Sequence, residues 1–476
     1  MRQNLADPLW TLGEILVATG GRCPGDPASP VSGFSIDSRS LASGEGFIAI
    51  RGPNRDGHEY VPAALGAGAA CAVVEETYDS GDEQRLVRVV DTFDALNDLG
   101  RAGRTRAESA VVIAVTGSVG KTGTKEALRR ALAPSGTVHA SSKSYNNHWG
   151  VPLTLANMPR DIAYGVFEVG MNHAGEIDVL TRLVRPQIAI ITTVAPVHLG
   201  FFGSVEEIAD AKAEIFHGLE PGGTAVINRD NPHYERIAAH ARKQGAEIVS
   251  FGEDASADAR LVSADLSPEG SQVRADILGE TVDYHLGAPG RHLVQNSLAV
   301  LAAVKLAGAD LAKAAEALGV VQAQAGRGLR RIIETKAGPV AIVDESYNAN
   351  PASMRAALST LGLAPRSAYK RRVAVLGDML ELGAEGPKLH AGLAEAVDEA
   401  GIDVVFACGE LMKSLFQALP EELQGTYAKS SEELSPRLLE AVRPGDIIMV
   451  KGSLGSRMAP LVEALTRHFE AESVSA

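Results

Sequence analysis

Cysteine is almost missing from this 476-residue chain: Cys23, Cys71 and Cys408 stand far apart, without Cys-x-x-Cys or Cys/His ligand spacing. A disulfide framework and a structural zinc site are therefore not expected. Positive charge is also in deficit, since 45 Lys and Arg face 59 Asp and Glu for a formal net charge of −14. That balance argues against nucleic acid or an anionic membrane surface as the main partner, although a helix N-terminus can still bind phosphate. No apolar run approaches the ~18 residues of a membrane span; the longest, around 188–197, is broken by threonines and a proline. The first residues, MRQNLADPLW, lack a basic segment followed by an apolar core, so no signal peptide, no membrane insertion and a cytoplasmic protein are expected. Aromatics are scarce at 5%, whereas 49 residues are glycine, a share above the usual ~7%. Tight turns and close backbone approaches should be frequent. With 45% hydrophobic and 22% charged residues, the chain has a globular rather than a disordered composition.

At roughly 150 residues per domain the length suggests about three domains, and composition shifts place them at 1–107, 108–324 and 325–476. In the first, short apolar runs at 34–36, 46–50, 71–75 and 86–90 read as strands between helices at 59–68 and 92–105, with a polar exit linker from Arg104. In the second, apolar strands at 111–115, 165–169, 187–193, 224–228 and 247–251 alternate with helices at 121–132, 176–183, 205–219 and 233–244. That alternation predicts a parallel sheet with crossover helices. Alternating runs in 258–286 add a small antiparallel sheet, and a helix at 295–306 closes the unit. The third unit has strands at 340–343, 372–376, 404–408 and 446–450, and helices at 353–361, 388–399, 411–418 and 454–469. The expected fold is a three-domain α/β protein: a small N-terminal α/β domain, a central P-loop parallel-sheet ATPase domain and a C-terminal Rossmann-like domain.

The strongest local signal is Thr116-Gly117-Ser118-Val119-Gly120-Lys121-Thr122 between a buried strand and a helix. Such a turn points backbone N–H groups at phosphate oxygens, its lysine reaches the β/γ-phosphates, and its Thr hydroxyl helps hold Mg²⁺. Val115 stands where the general pattern has its first glycine, and ATP is favoured over a dinucleotide because no G-x-G-x-x-G with a following acid is present. Glu168 ends the next strand, where a second magnesium ligand belongs, and His198 follows another strand in the same topological place. Lys212, by composition alone, reads as a surface lysine in a charged turn. Kinases, motor ATPases and ligases all remain open at this point.

The set Thr116–Thr122, Asn146-Asn-His-Trp-Gly-Val-Pro, Glu168-Val-Gly-Met-Asn-His-Ala-Gly-Glu-Ile and Ala211-Lys-Ala-Glu resembles the Mur ligase family. The likeness continues through Asn296, Gly326-Arg-Gly, Asp344-Glu-Ser-Tyr-Asn-Ala-Asn-Pro, Leu376-Gly-Asp-Met-Leu-Glu-Leu-Gly and Lys451-Gly-Ser, and so covers the chain in order. The resemblance implies an ATP-dependent amide-bond ligase of peptidoglycan precursor synthesis. The Ser-Tyr-Asn-Ala-Asn-Pro stretch, and the absence of an Asp-Asn-Pro-Arg motif, point to the member that adds D-Ala-D-Ala to UDP-MurNAc-tripeptide. A sister Mur ligase, a folylpolyglutamate-type ligase and a P-loop ATPase without ligase activity are the alternatives.

The resemblance also assigns residues. It implies catalytic roles for Lys121, Lys212 and His198, with Lys212 as the family's carbamylated lysine. Two Mg²⁺ are expected on Thr122, Glu168, His198 and Lys212. Asn296, Arg327, Asp344 and Tyr347 fall at adenine, phosphate and ribose positions. Asn146 and Asn147 face substrate, and Ser38 and Arg39 in Asp-Ser-Arg fall where the nucleotide sugar binds. Read alone, Asp-Ser-Arg is a common turn. Gly328 and Gly123 depart from the family pattern without removing a group the chemistry needs. A monomer is expected.

Overall fold

The computed structural model describes residues 8–79, 82–141, 144–197, 199–321 and 323–474, with side chains described as far as residue 471; His198 lies outside the described residues. Besides a two-stranded antiparallel pairing of Trp10–Thr11 with Pro30–Val31, three larger sheets follow one another along the chain. The first is parallel and four-stranded, built in sequence order from Phe34–Ser35, Gly46–Ile48, Cys71–Glu75 and Leu86–Val89. The helix Thr92–Arg106 follows, and Asp91 caps it by accepting from the N–H groups of Phe93 and Asp94 at 2.7 and 2.9 Å. Those are donors that a helix start leaves without partners.

The polar exit linker expected from Arg104 is not there. The helix runs to Arg106, and Arg104 is only 3% exposed. Its guanidinium donates to the carbonyls of Val184 (2.8 Å) and Arg185 (2.9 Å), at the end of the helix Glu176–Val184. Arg106 reaches the carbonyls of Leu9 and Met158 at 2.6 and 2.8 Å and lies 3.9 Å over the Trp10 ring. Backbone carbonyls supply the acceptors that make burying these arginines tolerable, for Arg104 at the C-terminal end of a helix and for Arg106 in flanking loops. The same helix packs so tightly on Gly150–Ala156 that a Cβ on Gly103 would lie 2.2 Å from the Leu155 carbonyl oxygen.

The second sheet has nine strands in the order Glu280–Leu286, Gly270–Ile277, Ala259–Ser267, Glu247–Gly252, Thr224–Asn228, Ile188–Ile191, Val111–Thr116, Tyr164–Glu168, Val138–Ala140. From Glu247–Gly252 onward in that order the strands run parallel. Val111–Thr116 is apolar without alternation because both its faces are covered. Val112 and Ala114 enter one core with the helices Glu176–Val184 and Val205–Ala213. Ile113 and Val115 enter the other with Lys121–Leu132 and Arg291–Leu306. The antiparallel segment does not stand apart as a small sheet. Phe251 pairs in parallel with Ala259, and two antiparallel pairings then extend the same sheet, covering an edge that would otherwise expose unpaired backbone.

The third sheet orders Leu329–Thr335, Gly338–Glu345, Asp446–Lys451, Arg371–Gly377, Val404–Cys408 and Gln424–Ala428; its first pair is antiparallel and the rest are parallel. Several expected helices are shorter than the pattern suggested: of 59–68 only Val61–Gly66 is α-helical, and of 411–418 only Lys413–Ala418. The helix at 205–219 leaves α geometry after Ala213 and tightens through Glu214–Gly218, where a Cβ on Gly218 would lie 2.2 Å from the Thr181 carbonyl oxygen. The segment 388–399 is divided into Gly386–Ala391 and Ala394–Glu399.

Candidate active site

Val111–Thr116 lies between Tyr164–Glu168 and Ile188–Ile191. The chain therefore leaves this strand toward both sides, and ligands of such sheets collect beyond the strand ends at that switch point. The loop Gly117–Gly120 occupies the place, followed by the helix Lys121–Leu132. Two of its glycines are required by space as well as conformation. Gly117 has φ +150°, and a Cβ there would lie 2.0 Å from Thr192 Oγ1. Gly120 has φ +87°, and its Cβ would lie 2.5 Å from Asn296 Nδ2. Thr192 ties the loop to the neighbouring strand: its hydroxyl donates to the Val119 carbonyl at 2.6 Å, and its N–H to the Thr116 carbonyl at 3.0 Å. Ser118 fixes the other side through the Thr193 carbonyl (2.8 Å) and the backbone of Ala195 (3.0 and 3.1 Å).

Glu168 closes the strand Tyr164–Glu168 and is buried, only 1% exposed. Its Oε2 accepts from the Thr122 hydroxyl at 2.8 Å and its Oε1 from Asn146 Nδ2 at 2.7 Å. Its carboxylate has no ion-pair partner within 4.0 Å among the described residues. Two hard oxygen donors in contact, one of them a buried and uncompensated anion, are what a Mg²⁺ site needs from protein.

Lys121 folds back so that its amine donates to the Gly117 carbonyl at 2.7 Å. Burial holds that amine below the usual lysine range; Glu168 opposes the shift and Arg327 adds to it. Lys212 reverses the surface reading. It is 2% exposed on the helix Val205–Ala213, and its amine has no hydrogen-bond or ion-pair partner among the described residues. Burial pushes it far below the usual lysine range, and the nearby Lys121 pushes it further.

The third sheet supplies the opposite wall. Arg327 lies 4.2 Å over the Tyr347 ring and donates to the Ser144 hydroxyl at 3.2 Å. Asp344 is engaged in shaping that wall: Oδ2 accepts from the Gly326 N–H (2.7 Å), and Oδ1 from the Ser346 N–H (3.1 Å) and hydroxyl (2.6 Å). A cavity of about 940 Å³ runs between the two units, lined by Ser118–Thr122, Asn146, Asn147, Glu168, Arg327, Tyr347 and Lys451. Asn296 opens instead on a side pocket of about 90 Å³ beyond Gly123, shared with Arg327. Asn147 caps the helix Gly150–Ala156 by accepting from the Trp149 and Gly150 N–H groups at 3.2 and 2.9 Å.

Ser38 and Arg39 are not on the wall of this cavity. Arg39 is largely exposed and closes a two-point ion pair on Asp37, at 2.8 and 2.7 Å. Residues that sequence reasoning passed over include Thr192, Lys125 and His292. Lys125 is fully buried and donates to the Ser141 carbonyl at 2.7 Å. Its only advance signal was a position one turn into the helix after the loop.

A phosphate loop at the switch point of a parallel sheet, faced by a buried carboxylate and by cations from a second sheet, defines a phosphate-loop α/β protein built from several units. Three family profiles match in order: "Mur ligase family, catalytic domain" over 30–102, "Mur ligase middle domain" over 115–304, and "Mur ligase, glutamate ligase domain" over 330–454. The chain belongs to the Mur ligase family, whose members are ATP-dependent ligases. It is 34% identical to the UDP-N-acetylmuramoyl-tripeptide–D-alanyl-D-alanine ligase of Rickettsia prowazekii, over 90% of this chain and 94% of that one. Among solved structures it is similar to MurF from Acinetobacter baumannii, with TM-score 0.84 and 29% identity over 96% of this chain and 99% of the other. It is likewise similar to the MurF ligase of Thermotoga maritima in complex with ADP, with TM-score 0.77 and 25% identity over 92% and 98% of the two chains.

Proposed function

We propose that this chain joins D-alanyl-D-alanine to the peptide of UDP-N-acetylmuramoyl-tripeptide, using ATP, to give the UDP-MurNAc-pentapeptide. The observation that carries this reading is the cavity in which Lys121 and Glu168 face Arg327, Tyr347 and Lys451 across two units. Its similarity to ligases with that named activity supports the choice of substrates.

A carboxylate is a poor acylating agent because oxide is a poor leaving group. In the proposed reaction an oxygen of the tripeptide carboxylate attacks the γ-phosphorus of ATP, ADP leaves, and an acyl phosphate forms. The dipeptide amine then attacks the acyl carbon, and the tetrahedral adduct collapses with loss of phosphate. Lys121 neutralises charge between the β- and γ-phosphates. Thr122 and Glu168 hold Mg²⁺, with Asn146 orienting the carboxylate, and His198 and Lys212 complete two metal sites on the strength of the resemblance. Bound there, the metal supplies charge neutralisation. Lys212 fits a carbamate, because a buried amine without a partner is held in the neutral form that combines with CO₂.

Arg327 and Tyr347 meet the nucleotide, with Asn296 beside the loop and Asp344 holding the Gly326–Gly328 turn in shape. Asn147 faces the tripeptide, and Ser38 and Arg39 meet the nucleotide sugar. The work divides among residues 1–107 for the sugar nucleotide, 108–324 for ATP, and 325–476 for the dipeptide and closure. Closure keeps water from an acyl phosphate. On the resemblance alone, we place the reaction in the cytoplasm and the protein as a monomer.

The test is Lys121→Ala, assayed with ATP, tripeptide substrate and dipeptide. Phosphate release should fall by about 100-fold or more, with the thermal midpoint little changed. An undiminished rate overturns the proposal.

A further inference from the structure

We infer that Thr192 aims the phosphate loop: by holding the Val119 carbonyl, its hydroxyl turns the Gly120 N–H toward the nucleotide and so sets nucleotide affinity. The inference rests on the ligase reading above, through the binding of ATP at this loop. It gives a positioning role to a residue that is fully buried and stands behind the cavity wall rather than on it.

The loop does not settle its own orientation. Gly120 has φ +87° at the start of the helix Lys121–Leu132, and glycine takes either sign of φ at little cost. The peptide joining Val119 to Gly120 can therefore turn over without a local penalty. In a trans peptide the C=O and the N–H point opposite ways. One orientation offers the cavity an N–H, which attracts a phosphate oxygen; the other offers a carbonyl oxygen, which repels it.

Thr192 makes the choice from a fixed place. It follows the strand Ile188–Ile191, whose last residue pairs with Thr116. Its N–H donates to the Thr116 carbonyl at 3.0 Å, and its own carbonyl accepts from Asn228 Nδ2 at 3.2 Å, so its backbone does not depend on its hydroxyl. That hydroxyl has one proton and two carbonyls in reach, Val119 at 2.6 Å and Thr116 at 3.3 Å; the nearer one takes it. Gly117 leaves the room, since a Cβ there would lie 2.0 Å from Thr192 Oγ1.

The fate of the loop's N–H groups is the second support. The N–H of Ser118 is turned away, to the Thr193 carbonyl at 2.8 Å. Among the described residues the next four, on Val119, Gly120, Lys121 and Thr122, have no acceptor, and all four residues line the cavity. Unclaimed backbone donors are uncommon inside proteins, and a run of them at a helix start makes a cradle for an anion. The Lys121 amine stands over the same cradle, donating to the Gly117 carbonyl at 2.7 Å. Turning the Val119–Gly120 peptide over would withdraw one of the four donors and put an acceptor among the rest.

Two substitutions separate this role from packing. Thr192→Val keeps the shape of the side chain but removes the donor, leaving the Val119 carbonyl buried without a partner and favouring the turned peptide. Thr192→Ser keeps the donor and gives up only a methyl group. Because hydrogen bonds to phosphate are charge-assisted and therefore strong, the loss falls on nucleotide affinity. The sugar nucleotide, which does not use this loop, is left as it was.

The experiment compares wild type, Thr192→Val and Thr192→Ser by calorimetric binding of ADP with Mg²⁺ and by the KM values for ATP and UDP-MurNAc-tripeptide. In Thr192→Val, ADP affinity should fall and the KM for ATP should rise by about 10–100-fold, with the KM for the sugar nucleotide within about twofold of wild type. Thr192→Ser should bind ADP within about threefold of wild type. Undiminished ADP binding by Thr192→Val, an equal loss in Thr192→Ser, or a parallel rise in both KM values overturns the inference. Binding is read apart from turnover: a wild type that binds ADP but forms no amide loses the ligase reading and keeps this one. A wild type that binds no ADP loses both.

Discussion

Around the phosphate loop the electrostatics converge on a few atoms. Lys121 stands beside one buried carboxylate, Glu168, with Arg327 close enough to act on the same amine, while burial pushes Lys212 toward its neutral form; two cations against one anion leave positive charge for a polyphosphate. On the helix Gly386–Ala391, His390 shows how one ring can set a loop. Its Nε2 accepts from the Met379 N–H at 2.9 Å and its Nδ1 faces the Gly386 carbonyl at 2.6 Å, so the ring is a neutral Nδ1–H tautomer. Burial lowers its pKa, while the Gly386 hydrogen bond and Asp378 oppose the shift. The unfolded chain therefore takes up a proton near the ordinary ~6.5 while the folded ring does not, and stability falls as pH drops below about 6.5. Wild type should lose more thermal midpoint between about pH 7 and pH 5 than His390→Gln does; parallel losses would refute that role. At this scale the phosphate loop and Glu168 were legible because a local spacing announces them. The burial of Lys212 and the hold of Thr192 on the loop were not, since both depend on elements far away in the chain.

Among the elements, two glycines in helices make opposite demands. On Thr92–Arg106, a Cβ at Gly103 would meet the Leu155 carbonyl oxygen at 2.2 Å, whereas nothing lies within 4 Å of one at Gly123 on Lys121–Leu132. Gly103→Ala should destabilise by about 1–3 kcal/mol through forced separation of the two helices. Gly123→Ala should stabilise by about 0.5–1 kcal/mol by removing backbone freedom from the unfolded chain. Chemical denaturation of both variants checks the pair, and a Gly103→Ala as stable as wild type would contradict this packing. The parallel strands could be read from sequence because two-sided burial leaves unbroken apolar runs. The strands Leu329–Thr335 and Gln424–Ala428 could not, because each is an edge strand with polar and exposed positions. The helix Ser431–Ala441 was hidden by Pro436 in its interior.

For the whole molecule, the acidic balance of −14 is not carried by the cavity wall, where Lys121, Arg327, Arg330 and Lys451 stand against Glu168, Glu176, Glu269 and Glu345. No helix among the described residues is long and apolar enough to cross a membrane. The sheets succeed one another along the chain, but the cavity belongs to two of them, which is why composition and local pattern suggested three units without showing how they meet. The ligase account makes the acceptor decide the outcome. The most direct measurement follows ADP, phosphate and product mass with ATP and UDP-MurNAc-tripeptide, offering D-Ala-D-Ala, D-alanine or single L-amino acids in turn. The account predicts equal amounts of ADP, phosphate and the pentapeptide product with the dipeptide alone. Turnover that is as fast without an acceptor, or with a single amino acid, would contradict it.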